Sequence, residues 1–382
     1  MTIEREEYVQ RIARLAALAR EARLNGVILT GESNIAYFSG FRHHAPWTLF
    51  ARPFFEVVSA DGRAALVAHS FLVPEMERTS AVRDIRAYTR SGSAAIPPLA
   101  DVVRAFGMEA GQVGAELGYE QRLGISWDDF GLLRGLLPHA SFVDAASLLW
   151  RLRTIKSPAE QALLRQSAEV TRQAFEACFA AACPGMTERE IGRIAGETMV
   201  HHGAERPGFI LIASGAENYR CLSGKPTERR LERGDMLWID MGAVYDGYWS
   251  DFCRAAIIGR PTQEQQDSQK AILEVNQACL DAVKIGEPVK RVAEAAQAAF
   301  TRLGYDVRIG DGRIGHGMGL MSTEPPHTAL YEDTVMEDGL AFTIEPRFVT
   351  AAGVFNCEEL VLVTPAGAEL LTTASRDLRA CA

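Results

Sequence analysis

One stretch of the chain, LWIDMGAVYDGYWSDFC, places two carboxylates in an apolar setting. It covers residues 237–253 and predicts two apolar strands joined by a tight turn at an Asp-Gly pair. Asp240 falls within the first strand and Asp251 within the second. Because an unpaired buried charge is costly, we expect a cation close to both side chains.

Three further acidic or imidazole side chains have similar surroundings in the sequence. His316 lies in GRIGHGMGL, Glu345 in FTIEPRF and Glu358 in FNCEELVLV. A hairpin between the two aspartates would bring their side chains to one face. Four carboxylates and one imidazole can share a core when divalent cations bind them, and this mostly oxygen donor set suits Mn, Fe(II), Co or Zn. The sequence therefore predicts a metal site, with two ions if carboxylates bridge them.

Length and composition limit the class of protein. The chain has 382 residues, enough for two or three domains, and 47% of them are hydrophobic. A net charge of −9 argues against a general nucleic-acid binder or an anionic-membrane binder, since both use basic faces. The charged N-terminal stretch predicts no secretion signal, and no apolar run is long enough to predict a membrane span. Seven scattered cysteines without a CxxC pair favour a reducing cytoplasm.

The first part of the chain alternates short apolar strands with helical patterns. Strands are predicted at 26–31, 113–117 and 141–145, a hairpin at 55–68, and helices at 4–25, 71–79, 98–106 and 126–137. This alternation predicts an α/β domain over residues 1–152.

The remainder of the chain, residues 153–382, predicts an α+β domain in which long helices cover a sheet. Two capping boxes, Ser157 with Glu160 and Thr187 with Glu190, predict the starts of two helices. The predicted helices end near residues 182 and 202, two more span 262–284 and 288–303, and strands are predicted at 209–215, 236–259, 340–349 and 353–364.

These motifs, taken in order, resemble the M24 superfamily of pita-bread metallopeptidases, which includes creatinase, prolidase, aminopeptidase P and methionine aminopeptidase. LRTIKSPAEQALLRQSAEVT resembles the helix that opens the family's catalytic domain. The double-aspartate hairpin, GHGMGL, FTIEP and CEELVLVT resemble its metal-site motifs, and the resemblance covers nearly the whole chain. It implies an α/β creatinase-like N-terminal domain over residues 1–152 and an α+β pita-bread catalytic domain over residues 153–382.

The resemblance also implies a ligand set for two divalent ions, with manganese expected first and cobalt, zinc or iron as alternatives. The implied ligands are Asp240, Asp251, His316, Glu345 and Glu358. Asp240 would be a terminal ligand of one ion, and Asp251 and Glu358 would bridge the two ions. His316 and Glu345 would complete the coordination of the second ion. They would also form the catalytic pair, with Glu345 carrying a proton to the leaving nitrogen.

The sequence departs from the family pattern on the substrate side. Ser223 and Thr323 stand where the family's peptidases usually carry two histidines, and His327 is a candidate replacement. The stretch FARPFF resembles creatinase, in which this loop reaches into the neighbouring subunit's pocket. The resemblance therefore implies that Arg52 holds a substrate carboxylate across a homodimer, with Phe50 as a wall of the pocket.

The activity that the resemblance implies first is hydrolysis of the C–N bond of an amide or short peptide by a dinuclear site, as in Xaa-Pro dipeptidases and aminopeptidase P. Two alternatives stay open. One is a metal-dependent hydrolase of a small non-peptide carboxylate, as in creatinase and ectoine hydrolase relatives, and the other is a catalytically silent binding protein of the same fold. The expected partners are a small peptide or amide substrate and a second copy of the chain, without nucleic acid or membrane.

Overall fold

The structure is a computed structural model that describes residues 3–44 and 51–382. The described chain divides into two compact units, Ile3–Arg153 and Thr154–Ala382. The boundary that the sequence predicts, between residues 152 and 153, lies one residue before this division. Within the described residues, no helix is long and apolar enough to cross a membrane.

The first unit contains one mixed sheet with helices around it. Its helices are α1 (Arg5–Glu21), α2 (Glu32–Ser39), α3 (Val73–Thr79), α4 (Ile96–Ala105), α5 (Trp127–Leu136) and α6 (Ala146–Arg153). Its strands are β1 (Gly26–Leu29), β2 (Phe55–Ser59), β3 (Ala64–His69), β4 (Asp84–Tyr88), β5 (Ala110–Ala115) and β6 (His139–Asp144). The strands are ordered β4-β3-β2-β1-β5-β6, with β1 antiparallel to β2 and parallel to β5.

Most of the predicted elements of this unit are confirmed with small shifts at their ends. All four predicted helices and the predicted strand regions are present, whereas α2, β4 and α6 were not predicted. Strand alternation explains how the sheet buries its core: Ile28, Phe55 and Val57 share one apolar cluster with residues of α4 and α5.

The second unit contains longer helices and more strands. Its helices are α7 (Pro158–Ala181), α8 (Glu188–His201), α9 (Gln263–Asp281) and α10 (Lys290–Arg302). Its strands are β7 (Arg206–Ser214), β8 (Met236–Tyr245), β9 (Tyr248–Trp249), β10 (Phe252–Ile258), β11 (Arg313–Gly317), β12 (Glu324–Ala329), β13 (Ala341–Ile344), β14 (Arg347–Thr350), β15 (Gly353–Asn356), β16 (Glu359–Thr364), β17 (Gly367–Leu370) and β18 (Arg379–Cys381). Two sheets run β18-β10-β8-β7, with β9 on β8, and β12-β11-β13-β16-β17, while β14 pairs with β15.

Both predicted capping boxes are confirmed. The Ser157 hydroxyl accepts from the Glu160 amide at 3.2 Å, and the Glu160 carboxylate accepts from the Ser157 amide at 3.0 Å. Thr187 and Glu190 make the same pair of bonds at 3.1 and 2.7 Å. These bonds satisfy amides that the first turn of a helix leaves unpaired, so they determine where α7 and α8 begin.

The hairpin that carries the two aspartates is also present. Asp246 and Gly247 have φ values of 48° and 83°, the left-handed pair that a two-residue turn of this kind requires. Asp240 lies in β8 and is paired with Cys253 of β10. Asp251 was predicted inside the second strand, which is wrong, because it lies in the short gap between β9 and β10.

Two other strand predictions are wrong, and both breaks fall at candidate site residues. The segment 340–349 is two strands separated around Glu345 and Pro346, and the segment 353–364 is two strands separated around Glu358. Proline has no backbone donor and therefore interrupts a ladder. A side chain at such a break does not follow the strict alternation of a strand, so it can approach side chains that other strands and loops contribute.

Candidate metal centre

The hairpin and the loop after it bring the two aspartates together. The carboxyl groups of Asp240 and Asp251 lie within hydrogen-bonding reach of each other. Asp251 is 7% exposed, and the Oδ1 atom of Asp240 is buried without a hydrogen-bond partner. An unsatisfied buried carboxylate oxygen is costly, and coordination of a cation would satisfy it.

His316 and Glu358 complete the group on the facing sheet. Asp251, His316 and Glu358 are all buried and offer ligand atoms that lie within 4.8 Å of one another. His316 Nε2 is 3.5 Å from Asp251 Oδ2 and 3.9 Å from Glu345 Oε1. All five residues that the sequence singled out as possible ligands are therefore neighbours in space.

The backbone around His316 fixes the orientation of its ring. Its Nδ1 atom is 3.1 Å from the carbonyl of Gly317. A carbonyl can only accept a hydrogen bond, so Nδ1 carries the hydrogen and the lone pair of Nε2 points towards the carboxylates. A Cβ atom at Gly315 would collide with the carbonyl of Thr343, which explains the glycine before the histidine.

The two glutamates reach the group from the strand breaks. The amide of Glu345 donates to the carbonyl of Ile314 at 2.8 Å, and its Oε2 atom is 3.6 Å from Arg347 Nη1. The carbonyl of Glu358 accepts from Arg254 Nη1 at 2.7 Å. The Glu345–Ile314 and Arg254–Glu358 hydrogen bonds hold the backbone at the two strand breaks that carry these side chains.

Burial dominates the electrostatics of the cluster. It raises the pKa of Asp240 to about 7, with a further contribution from the charge of Glu345. Burial, followed by the charges of neighbouring acids, also raises the pKa values of Asp251 and Glu358 well above their usual range. Burial lowers the pKa of His316 to about 4, so its imidazole is neutral at neutral pH. Such an arrangement of oxygens and one neutral nitrogen fits a divalent cation.

The substrate-side residues are more dispersed. Ser223 is exposed in a turn, Thr323 is half-buried and precedes β12, and His327 is buried beside His316 as its cross-strand partner. In the first unit, the Arg52 guanidinium lies 5.0 Å from the ring centroid of Phe71. Phe50, the predicted wall of the pocket, lies outside the described residues.

Sequence reasoning missed two groups close to the cluster. Arg313 begins β11, three residues before His316, and donates from Nη1 to Nδ1 of His327 at 2.9 Å. Lys156 Nζ is 3.4 Å from Glu324 Oε2, and both side chains are only 1% exposed. The position of Arg313 on the strand of His316 was a usable signal, whereas the Lys156–Glu324 pair joins distant parts of the sequence.

Comparison with known proteins identifies the family. The model of metallopeptidase family M24 matches residues 162–365, which include all five candidate ligands, and that of the creatinase/prolidase N-terminal domain matches residues 11–155. The chain belongs to metallopeptidase family M24. Both the predicted resemblance and the predicted fold class are thereby confirmed: a creatinase-like N-terminal domain followed by a pita-bread catalytic domain.

Several M24 relatives are dipeptidases. The chain is 32% identical to the Xaa-Pro dipeptidase of Pyrococcus furiosus over 229 residues, which are 59% of this chain and 65% of that relative. Among solved structures, the Xaa-Pro dipeptidase from Bacillus anthracis superposes with a TM-score of 0.86 at 26% identity, covering 98% of this chain and 99% of the other. The dipeptidase PepE from Mycobacterium ulcerans superposes with a TM-score of 0.85 at 25% identity over 100% of both chains.

Proposed function

We propose that this protein is a metal-dependent hydrolase that cleaves the C–N bond of an Xaa-Pro dipeptide. The observation that carries the proposal is the cluster of four carboxylates and one imidazole, in which Asp251, His316 and Glu358 are buried and Asp240 Oδ1 has no hydrogen-bond partner. Burying like charges together lowers the stability of the fold, and a bound divalent cation would offset that cost. The dipeptidase names of the relatives from Pyrococcus furiosus and Bacillus anthracis support the choice of substrate.

Asp240, Asp251, His316, Glu345 and Glu358 would hold two divalent ions, of which manganese is our first expectation. The number of donors supports two ions, because four carboxylates supply more oxygens than one ion needs. Cobalt, zinc and iron suit the same donors. Such ions, when bound, would activate a water molecule and polarise the scissile carbonyl.

Glu345 is the group that we assign to proton transfer. Its side chain is 16% exposed, so it lies at the rim of the cluster where a substrate nitrogen can reach it. Burial raises the pKa of Glu345, and the neighbouring charges of Arg347 and Arg313 oppose that rise. The carboxyl group is therefore placed to accept a proton from water and to deliver it to the leaving nitrogen. His316 would keep its ring fixed through Gly317 while this transfer takes place.

The substrate side of the proposal involves five residues. Ser223, Thr323 and His327 are the residues that we expect to contact the peptide, and Arg52 and Phe50 would do so from the partner subunit of a homodimer. All seven cysteines are free, which supports a cytoplasmic location because thiols stay reduced there. The oligomeric state can be measured by light scattering on the purified protein.

Metal content and turnover test the central claim together. The purified protein should contain about two ions per chain by elemental analysis after manganese loading, and it should hydrolyse Gly-Pro and Ala-Pro. Asp240→Asn should lose at least one ion and nearly all activity. Asp333→Asn is a matched control, since Asp333 is 78% exposed and pairs only with Lys290 among the described residues. An absence of bound metal in the wild-type protein would contradict the proposal.

The experiment also separates the second candidate function. Residue 223 is a serine, so this position offers no imidazole to assist the cleavage of a peptide bond. Two bound ions with turnover of creatine-like or ectoine-like carboxylates, but not of Xaa-Pro peptides, would favour a non-peptide C–N substrate. Two bound ions without any turnover would favour a binding protein.

A further inference from the structure

The backbone around the strand break at Glu358 is held by side chains. Strand β15 ends at Asn356 and β16 begins at Glu359, so Cys357 and Glu358 belong to neither strand. Three consecutive carbonyls at this break each accept a hydrogen bond from a different side chain. The donors are Cys253 Sγ to Asn356 at 3.4 Å, Asn276 Nδ2 to Cys357 at 2.8 Å and Arg254 Nη1 to Glu358 at 2.7 Å.

The three donors are as buried as the carbonyls that they contact. Cys253 and Asn276 are fully buried and Arg254 is 3% exposed, while residues 356–358 are at most 3% exposed. A buried carbonyl that loses its donor cannot easily take one from water, so its loss costs free energy. The path of the backbone through the break therefore depends on these donors.

The amide of Asn276 is fixed in one direction by a second contact. Arg376 Nη2 donates to Asn276 Oδ1. Arginine can only donate, so Oδ1 accepts and Nδ2 faces the Cys357 carbonyl. Asn276 belongs to α9, a helix that contributes none of the five candidate ligands. The helix layer thus holds the backbone next to Glu358 without reaching the cluster itself.

The thiol of Cys253 connects the break to the strand that follows Asp251. A carbonyl can only accept, so the thiol donates to Asn356 and keeps its proton. Burial raises the pKa of this thiol well above its usual range, while the nearby amide of Glu358 acts in the opposite direction. Cys253 and Arg254 come two and three residues after Asp251. The short segment that carries Asp251 therefore also holds the backbone of Glu358.

We propose that Cys253, Arg254 and Asn276 are positioning residues that fix the direction of Glu358 relative to Asp251. We call these three residues the carbonyl clamp. The inference rests on the proposed function, in which both carboxylates hold the metal ions. A ligand that is already oriented loses less conformational freedom when an ion binds, so the clamp raises metal affinity without touching the ion or the substrate.

Paired cysteine variants test the clamp. Cys253→Ala removes the donor to the Asn356 carbonyl. Cys279→Ala is the matched control, because Cys279 is equally buried in the same apolar cluster and, among the described residues, makes no hydrogen bond to residues 356–358. We expect calorimetry to show a Kd for manganese that is roughly tenfold higher in Cys253→Ala and less than about twofold higher in Cys279→Ala. Both variants should lower the urea midpoint of the metal-free protein similarly, since each removes one buried sulfur.

Two further variants separate positioning from packing. Cys253→Ser keeps a donor at the same position and should return the Kd to within about threefold of the wild-type value. Asn276→Leu has a similar volume but no donor for the Cys357 carbonyl, and it should raise the Kd by roughly tenfold to a hundredfold. Equal Kd values in Cys253→Ala and Cys279→Ala, or a serine variant that binds no better than the alanine variant, would overturn the inference.

Failure of the proposed function would be recognised separately. A wild type that binds no manganese would refute that function, and hydrogen exchange in the metal-free protein would then test the clamp. Mass spectrometry follows the amides of peptides that cover residues 353–364. Exchange that is at least about tenfold faster in Cys253→Ala and Asn276→Leu than in Cys279→Ala would support the clamp, and equal rates in all three variants would refute it.

Discussion

Two neighbouring glutamates in the second unit are both buried, yet their surroundings are opposite. Glu359 is fully buried and surrounded by positive charge, with Arg254 Nη2 at 3.0 Å and Arg376 Nε at 2.7 Å. The Oε2 atom that pairs with Arg254 also accepts from the Thr372 hydroxyl. Glu358 is 2% exposed, but the charged groups that act most on it are other carboxylates.

The difference shows that burial alone does not indicate the role of a carboxylate. Glu359 forms ion pairs within the protein, so its charge is compensated whether or not a ligand is present. Under the proposed function, a cation from outside the chain would compensate Glu358 and its acidic neighbours. Arg254 connects the two groups, because it pairs with the Glu359 side chain and donates to the Glu358 carbonyl. The compensated group thus holds the backbone of the uncompensated one.

The largest expected effect comes from removing the charge of the uncompensated glutamate. Glu358→Gln should reduce turnover of an Xaa-Pro dipeptide at least about a thousandfold, or ~4 kcal/mol of transition-state stabilisation. The melting temperature of the metal-free protein should stay the same or rise, since one of several crowded negative charges is gone. Steady-state kinetics and thermal unfolding in EDTA measure the two quantities. Normal turnover with two bound ions would show that Glu358 is not a ligand.

The same substitution one residue later should act on stability instead. Glu359→Gln leaves Arg254 buried without its anionic partner, and breaking a buried pair in this way costs about 3 kcal/mol or more. Urea unfolding of the metal-free variant measures this loss. Metal content at saturating manganese should stay near that of the wild type, because Glu359 offers no oxygen to the cluster. An unchanged unfolding midpoint would remove the distinction between the two glutamates.

Local sequence signals predicted the helix starts and the hairpin turn of the second unit. The capping boxes at Ser157 and Thr187 depend on residues three positions apart, and the turn at Gly247 depends on two neighbouring residues. Such features need no knowledge of the rest of the chain. The apolar surroundings of Asp240 in the sequence were likewise sufficient to indicate a buried carboxylate.

Features that depend on distant parts of the chain were not predictable. Arg254 and Glu359 are 105 positions apart, so nothing local distinguishes the compensated glutamate from the one before it. The strand breaks at Glu345 and Glu358 were missed for a related reason. An uninterrupted apolar run predicts one strand. The local turn that directs Glu345 or Glu358 towards the other candidate ligands depends on the second sheet, which the local sequence does not reveal.

The pH dependence of the metal-free protein offers a further test of the contrast. Burial raises the pKa of Asp240 from 3.8 to about 7, so the folded protein holds a proton that the unfolded chain releases. The contribution of Asp240 to the free energy of unfolding is therefore fully favourable below about pH 4, and it is lost as the pH rises towards 7. The slope should reach up to about 1.4 kcal/mol per pH unit.

The Asp240 contribution is isolated by subtraction. The free energy of unfolding in EDTA is measured by urea titration from pH 4 to pH 7 for the wild type and for Asp240→Asn. The wild type should lose stability relative to the variant as the pH rises, and saturating manganese should abolish that relative loss. A difference that is independent of pH would mean that Asp240 is already compensated in the metal-free protein.

The smallest expected effect concerns the two arginines that compensate Glu359. Arg254 is 3% exposed, whereas the Arg376 side chain is 27% exposed and is partly solvated. Arg376→Gln should therefore cost only about 1 kcal/mol of unfolding free energy, because Arg254 and the Thr372 hydroxyl still hold the carboxylate. Arg254→Gln should cost more, since it also removes the bond to the Glu358 carbonyl.

A double-mutant cycle gives the coupling that the comparison requires. Urea unfolding of Arg376→Gln, Glu359→Gln and the double variant should show a coupling of roughly 0.5 kcal/mol or more between the two residues. The corresponding cycle with Arg254→Gln and Glu359→Gln should give a larger coupling energy, because the Arg254–Glu359 pair is shielded from water. Equal couplings would mean that exposure to solvent does not weaken the outer pair, and that the carboxylate is compensated by both arginines to the same degree.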